Sequence, residues 1–201
     1  YLAENLSAQS ERLAACLAPV SGAADAAREV QASVERLFAA AAWCDKFEGA
    51  VHQPPMHGVT LALHEPMGVV AVVATPQAPL LGLISLIAPA IAMGNRVVAV
   101  PSNSMPLVAA ELYAVLDTSD VPAGVVNLVA GDADTLADVL AAHADVDSLW
   151  WLGASAAQAQ RVEALSVSNL KRTWVSTSAP DWLSNPALTG REALAQAVQV
   201  K

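Results

Sequence analysis

The stretch Glu65–Ser102 reads EPMGVVAVVATPQAPLLGLISLIAPAIAMGNRVVAVPS and decides the fold of this chain. Its apolar residues recur first as in a buried strand at Val69–Ala74, then with helical spacing at Leu80–Met93, and then as a second strand at Arg96–Val100. Gly94 follows the helix where a left-handed cap is needed. The stretch therefore predicts a strand–helix–strand unit, the building block of a parallel sheet.

A membrane span is the main alternative for this stretch. No charged residue lies between Glu65 and Arg96, and a run of that length can cross a bilayer. However, the apolar period changes from strand-like to helix-like within the run, and prolines interrupt it at Pro66, Pro76, Pro79 and Pro89. We therefore favour a buried strand–helix–strand core, and no membrane partner is expected.

The alternation of strands and helices continues beyond Ser102. Further strands are predicted at Val125–Val129, Ser148–Leu152 and Arg172–Ser176. Further helices are predicted at Pro106–Leu116, Ala133–Ala142 and Ala156–Ser166. Apolar strands separated by amphipathic helices are typical of a parallel sheet that is covered on both faces. The fold class is therefore α/β, with a Rossmann-like, doubly wound parallel sheet.

Helices and a β arm flank this sheet. One helix is predicted from Leu2 to about Cys16, ended by a break at Pro19, Ser21 and Gly22, and a second from Ala23 to Trp43. Val59–His64 alternates as a half-buried or edge strand does. We divide the chain into N-terminal helices (1–50), an arm and linker (51–68), the Rossmann-like domain (69–180) and a C-terminal helix or arm segment (181–201), with a helix from about Arg191.

The composition narrows the classes of function. The chain has 201 residues, of which 55% are hydrophobic and 14% charged, so it fits one large folded domain. A net charge of −9 argues against a nucleic-acid partner. Two cysteines, Cys16 and Cys44, suit a reducing compartment, and we expect a cytoplasmic protein. Because the sequence opens and ends inside helical or strand patterns, we expect a fragment of a larger protein.

Several phrases of the sequence together resemble one family. They are EPMGVV at 65–70, APAIAMGN at 88–95, PS at 101–102, VPAGVVNLVAGD at 121–132 and NLKR at 169–172. In this order, over roughly half of the chain, they resemble the cofactor domain of the aldehyde dehydrogenase superfamily. Val59–His64 resembles the start of that family's oligomerisation arm, and the end of the chain, 191–201, resembles its C-terminal helix.

The resemblance also implies what is missing. The chain runs from the cofactor domain directly to the C-terminal segment, so the catalytic domain with its nucleophilic cysteine is expected to be absent. This arrangement resembles the second, degenerate module of the two-domain family-16 aldehyde dehydrogenases. The parent protein would then be an NAD-dependent aldehyde dehydrogenase whose cofactor is bound by another module.

The chain departs from the family pattern after each of the first two strands. The family has an oxyanion-binding asparagine in the turn that here reads Thr75-Pro76-Gln77-Ala78-Pro79. The longer side chain of Gln77 would misplace the amide, and small displacements of such donors cost much of the rate. The family's ribose ligands, a lysine and a glutamate, are replaced here by Val100 and Asn103.

The later strand ends depart as well. The family's Thr-Gly-Ser run is replaced by Gly153-Ala154-Ser155 after Leu152, with Gln158 where a second glycine is expected. The general-base glutamate is replaced by Ser176, which cannot act as a carboxylate base. We therefore expect no catalytic residue and no bound cofactor in this chain. Pro101, Ser102 and Gly153 remain as vestigial candidates for cofactor contact.

For three further groups of residues we favour a structural role over a functional one. His52, His57 and His64 lie near each other in sequence, but their spacing matches no usual ligand pattern, so no metal site is expected. Trp150 and Trp151 should point to opposite faces of their strand and pack in the core rather than stack on a ligand. Of the acidic cluster Asp132, Asp134 and Asp138, we expect Asp134 in the first turn of a helix, where the helix dipole favours it, and the other two on a solvated face.

Three functions remain open at this point. The first is a non-catalytic module that supports structure, interdomain packing and oligomerisation, with a catalytic aldehyde dehydrogenase module in the same or another chain as partner and a homo-oligomer as product. The second is a retained NAD-binding module, based on Gly153 at a helix start, that assists an active site elsewhere. The third is an enzyme of another kind that uses Ser155 or Ser176 as nucleophile.

Overall fold

The structure, a computed structural model, describes residues 1–184 and 188–201. Before the first strand it contains the helices α1 (Leu2–Ala8), α2 (Ser10–Ser21) and α3 (Ala23–Trp43). The prediction of one helix from Leu2 to Cys16 was wrong, because the helix breaks at Gln9 and Pro19 lies inside α2. Pro19 lies two residues before the end of α2 at Ser21, and Gly22, with a φ of 84°, ends the helix.

The arm consists of two short antiparallel ladders. Strands β1 (Ala50–His52) and β2 (Thr60–Ala62) form a hairpin, and β3 (His64–Pro66) pairs with the last strand of the chain. The prediction of one strand over Val59–His64 was therefore wrong. The pairing partner changes at Leu63, whose N–H and C=O both bond to Lys201 instead of to the hairpin.

A five-stranded parallel sheet forms the centre of the described residues. Its strands are β4 (Val69–Val73), β5 (Arg96–Val100), β6 (Val126–Leu128), β7 (Ser148–Leu152) and β8 (Arg172–Ser176). They lie in the order β6-β5-β4-β7-β8, so the chain enters at β4, adds β5 and β6 on one side, and then adds β7 and β8 on the other. The point between β4 and β7, where the direction reverses, is the switch point of a doubly wound sheet. The predicted fold class is confirmed.

The helices between these strands cover both faces of the sheet. They are α4 (Pro79–Ala92), α5 (Pro106–Asp117), α6 (Ala133–Ala142) and α7 (Ala156–Ser166), followed by a 3-10 turn at Val167–Asn169. Trp150 packs on the face under α4 and the N-terminal helices, whereas Trp151 packs on the face under α6 and α7. The prediction that the two indoles lie in the core on opposite faces is confirmed.

The C-terminal segment returns to the arm. It forms helix α8 (Arg191–Gln196) and strand β9 (Val198–Val200), and β9 pairs with β3 so that Pro66 faces Val198. An ion pair of 2.5 Å between Lys201 and Glu65 adds to this ladder. None of the described helices is both long and apolar enough to cross a membrane.

Candidate functional site

A cleft of about 260 Å³ lies where the strands of the parallel sheet end. This is the edge of an open α/β sheet at which ligands bind. Of the vestigial candidates, Ser102 and Gly153 line the cleft together, whereas Pro101 is buried and does not line it. The lining residues are Ala74, Thr75, Pro76, Ser102, Asn103, Ser104, Ala133, Trp151, Gly153 and Gln158.

The start of α7 faces this cleft and is already capped by its own residues. The Oγ of Ser155 accepts a hydrogen bond of 3.2 Å from the N–H of Gln158, and the Oε1 of Gln158 accepts one of 2.7 Å from the N–H of Ser155. This reciprocal pair is a capping box. Two of the main-chain donors that a helix start can offer to a phosphate therefore have internal acceptors.

An acidic side chain stands beside the capped helix start. Asp134 accepts a hydrogen bond of 2.9 Å from the Nε2 of Gln158 and forms an ion pair of 2.8 Å with Arg161. Arg161 also pairs with Asp138 at 2.6 Å. Asp134 lies in the first turn of α6, as predicted. The solvated face predicted for the other two holds for Asp132, which is exposed, but not for Asp138, which pairs with Arg161 and so helps to hold α6 against α7. The carboxylate of Asp134 also disfavours an anion at this point.

Gly153 contacts protein where a cofactor would approach it. Its N–H and that of Ala154 both bond to the carbonyl oxygen of Ser176, at 2.8 and 3.0 Å. A Cβ at Gly153 would lie 2.9 Å from the Cβ of Ala179 and 3.1 Å from the Cγ2 of Thr75. The glycine is therefore required by the close approach of the loop after β8, with a φ of 98° as a second reason.

Comparison with known proteins identifies the family. The model of the aldehyde dehydrogenase family matches residues 1–181. The chain belongs to the aldehyde dehydrogenase family. It is 34% identical over 143 residues to an aldehyde dehydrogenase of Agaricus bisporus, covering 71% of this chain and 29% of that protein. It is 33% identical over 139 residues to human aldehyde dehydrogenase 1A1, covering 69% of this chain and 28% of that protein.

Solved aldehyde dehydrogenase structures share the fold. An apo indole-3-acetaldehyde dehydrogenase aligns with a TM-score of 0.83 and 29% identity over 88% of this chain and 41% of that chain. The glyceraldehyde-3-phosphate dehydrogenase GapN of Methanocaldococcus jannaschii, complexed with NADP, aligns with a TM-score of 0.78 and 28% identity over 87% of this chain and 39% of that chain. This member of the family therefore spans less than a third of the curated relatives above and about two fifths of these solved chains.

The loop between β4 and α4 keeps Gln77 out of the cleft. This residue, which the sequence comparison predicted in place of the family's oxyanion donor, is exposed and does not line the cleft. The start of α4 is instead capped from α3, because the Oε1 of Glu29 accepts hydrogen bonds from the N–H groups of Leu80 and Leu81. Burial raises the pKa of the Glu29 carboxyl, and the two main-chain donors partly offset that effect.

The two residues predicted in place of the family's ribose ligands, Val100 and Asn103, have different surroundings. Val100 is fully buried in the core beneath α6 and α7, and its side chain has no polar atom to offer. Asn103 lies at the rim of the cleft and is exposed. Ser102 is buried and its Oγ lies 2.8 Å from the Oγ of Ser104, so its hydroxyl is engaged within the loop.

Neither cysteine lies at the cleft. Cys44 lines an apolar groove of about 360 Å³ together with the end of α4 and the loop that leads into β6, which places it at the opposite, amino end of the sheet. Cys16 lies in α2 and packs against the main core. Within the described residues, no three His, Cys, Asp or Glu side chains form a group that could hold a metal.

Some residues at the site were missed by the sequence reasoning. The Ser155-x-x-Gln158 spacing is the signature of a capping box and could have been recognised, although Gln158 was interpreted only as a lost glycine. Glu29 and Trp182 reach the same end of the sheet from distant parts of the chain. No local pattern in the sequence signals either contact.

Proposed function

We propose that this chain is a non-catalytic module of a longer aldehyde dehydrogenase and that it serves packing between modules and oligomerisation. The observation that supports this proposal most is the state of the cleft. The main-chain donors at Gly153, Ser155 and Gln158, where an open α/β sheet offers N–H groups to a phosphate, are bonded to the chain's own oxygen atoms.

The absence of catalytic groups in this chain is part of the proposal. Ser176, which we predict in place of the family's general base, has its Oγ hydrogen-bonded to Ser178, with no carboxylate or imidazole bonded to it among the described residues. Cys44 lies at the wrong end of the sheet for a nucleophile. NAD chemistry would then belong to a catalytic module elsewhere in the parent protein.

We also propose a reducing, cytoplasmic setting for the protein, because neither of its two cysteines forms a disulfide.

The arm is the surface that we assign to association. All of β1 is exposed, and Val51 and Leu61 face each other in the hairpin with exposures of 72% and 52%. Val59 and Leu63 lie on the same side of the chain as Leu61 and are 69% and 53% exposed. A two-stranded hairpin is marginally stable by itself, and an exposed apolar edge favours addition of a strand from a partner. The partner is a catalytic module of the same or of another chain.

The double variant Val51→Thr, Leu61→Thr tests this assignment in the full-length protein. Threonine is β-branched and favours strands but removes apolar contact area, so the hairpin should persist while association weakens. If the partner module belongs to another chain, the double variant should have a lower mass by light scattering. If it belongs to the same chain, residues 59–63 should exchange their amide hydrogens faster in the double variant. Val139→Thr, at an exposed residue of α6, is the matched control and should change neither measurement. Unchanged mass together with unchanged exchange would reject the assignment.

A retained NAD-binding module is the second candidate, because Ser102 and Gly153 still line one cleft beside the start of α7. Isothermal titration calorimetry on the chain separates the two candidates. A dissociation constant of about 10 μM for NAD would favour the cofactor module. No heat at millimolar NAD would favour the assembly module.

A further inference from the structure

The segment that follows β8 stays on the sheet. Residues 177–184, here named the strap, run from the end of β8 past the carboxyl ends of β7 and β4 towards α3. They therefore cross the switch point between β4 and β7, the place at which an open α/β sheet accepts its ligand.

The first contact of the strap is with the floor of this crevice. Ala179 approaches Gly153 so closely that a Cβ there would meet its Cβ at 2.9 Å. Thr75, at the end of β4, flanks the same point at 3.1 Å and is only 3% exposed. A group that bound on the side of Gly153 where a Cβ would lie would have to displace Ala179.

The second contact is an anchor at Trp182. This indole is 5% exposed, belongs to the main core and lies against Gly82 in the first turn of α4. The carbonyl oxygen of Trp182 accepts a hydrogen bond of 2.7 Å from the Nη2 of Arg36, which is itself 4% exposed on α3. The strap is thus fastened to the helices on the far side of the crevice.

The turns of the strap are ordered locally at both ends. The Oγ of Ser176 donates to the carbonyl oxygen of Ser178 at 3.0 Å, which fixes the exit from β8. The Oδ1 of Asp181 accepts from the N–H of Leu183 at 3.1 Å, which fixes the turn around the indole. The segment therefore has a defined path rather than a chance position on the surface.

The anchor also contains uncompensated polar atoms. The Nη1 of Arg36 and the Nε1 of Trp182 are buried and lack a hydrogen-bond partner within residues 1–184 and 188–201. A buried donor without an acceptor lowers the net gain from burying its side chain. The strap is therefore held more weakly than the buried area of an indole alone would give, and local release costs less than unfolding of the sheet.

We propose that the strap is a releasable, built-in occupant of the crevice at the switch point, and that Trp182 and Arg36 fasten it. The strap covers one side of Gly153, next to the open cleft, with the chain's own residues. This closure is independent of the assembly role proposed for the arm, since it uses none of the residues of the hairpin.

Thiol labelling at residue 75 of the full-length protein tests the proposal. Thr75→Cys is suitable because the hydroxyl of Thr75 has no hydrogen-bond partner among the described residues, so the change loses no bond. The rate of maleimide labelling is followed on the peptide that carries residue 75 by mass spectrometry. Ala137→Cys, at a fully buried residue of α6, reports global opening in parallel.

We expect Trp182→Ala to raise the labelling rate at residue 75 about 100-fold and Arg36→Met to raise it about tenfold, with the rate at residue 137 unchanged. Leu183→Ala, next to the anchor and 47% exposed, is the matched control and should leave both rates as they are. The proposal would be overturned if the labelling rate at residue 75 were the same in wild type and in the anchor variants. It would also be overturned if the labelling rates at residues 75 and 137 rose together. If Trp182→Ala fails to fold, the labelling rates at these two residues in Arg36→Met decide.

Discussion

The Oε1 of Glu29 accepts a hydrogen bond of 2.8 Å from the main-chain N–H of Leu80, 51 positions further along the chain. Glu29 lies on α3 and Leu80 in the first turn of α4, so a side chain from one helix caps the start of another. Ala78, the residue before α4, has no side chain able to do this. The cap therefore links the helical N-terminal part to the β4–α4 connection at the cleft.

Two substitutions of Glu29 should distinguish its role as a hydrogen-bond acceptor from the effect of its charge. Glu29→Ala removes the acceptor and leaves two buried N–H groups without a partner, so we expect a loss of about 2 kcal/mol in the free energy of unfolding. Glu29→Gln keeps an oxygen at the same reach and should cost clearly less. Urea unfolding measures both. Equal losses in the two variants would contradict the capping role.

The pH dependence of stability should carry the signature of Glu29. Burial raises its pKa, so the native state binds more protons than the unfolded chain between the ordinary and the raised value. The free energy of unfolding contributed by this group therefore falls as the pH rises from about 4.3, the ordinary glutamate pKa. Between the ordinary and the raised pKa, the free energy of unfolding of the wild type should fall relative to that of Glu29→Gln. Above the raised pKa, the difference between the two proteins should stay constant. A difference that rises with pH would refute the raised pKa.

The indole of Trp150 and the hydroxyl of Ser148 should be energetically coupled. The Nε1 of Trp150 donates to the Oγ of Ser148 at 2.9 Å, and that Oγ donates to the carbonyl oxygen of Arg172 at 2.8 Å. Ser148→Ala should cost about 2 kcal/mol because it leaves the buried Nε1 of Trp150 without an acceptor. Trp150→Phe removes the donor of this bond and also reduces the volume of the buried side chain. In a double-mutant cycle, the combined loss should be smaller than the sum of the single losses by about 1 kcal/mol. If the loss in the double variant equals the sum of the two single losses, the bond between Trp150 and Ser148 does not contribute to stability.

Substitution of Gly153 should be destabilising for two separable reasons. Gly153→Ala places a Cβ 2.9 Å from Ala179 and forces a φ of 98° on a residue that has a Cβ. We expect a loss of about 2 kcal/mol by urea unfolding. Adding Ala179→Gly removes the contact but not the backbone strain, so the double variant should recover part of the loss. Full recovery would assign the whole cost to the contact, against this prediction.

Lys171 should stabilise the turn between α6 and β7. It is 8% exposed, and its Nζ donates to the carbonyl oxygens of His143 and Val146 at 2.8 and 3.0 Å. Lys171→Met should cost about 2 kcal/mol near neutral pH, because these bonds involve a charged donor. Exposed Lys46 provides the comparison, since Lys46→Met should change the midpoint of urea unfolding very little. Similar midpoints for the two variants would contradict the prediction.

The central sheet could be predicted because its strands are buried and long enough to show their period. The bounds predicted for β5, β7 and β8 agree with the structure, and the rule that loops after parallel strands meet at one edge brought Ser102 and Gly153 to one cleft. The arm was harder to predict. Strands of three residues carry little periodicity, and the switch of pairing at Leu63 depends on Lys201 at the other end of the chain.

The contacts that close the cleft could not be predicted from local pattern. Trp182 has no periodic neighbours, and its place against Gly82 depends on the path of the preceding loop. Arg36 has the spacing of an ordinary helix residue, yet it is buried by α8 and by the segment that it binds. Such contacts depend on the assembled tertiary structure, in which distant segments meet.

The pairing of Pro66 with Val198 brings the two ends of the intervening polypeptide to a single point on the surface. A stretch of more than a hundred residues thus begins and finishes at neighbouring positions, the geometry that permits a unit to be spliced into a loop of a host protein or excised from it. Residues 66–198 could be joined to two adjacent strands of a scaffold without moving those strands apart, provided that α3 is supplied with its Glu29 and Arg36 contacts.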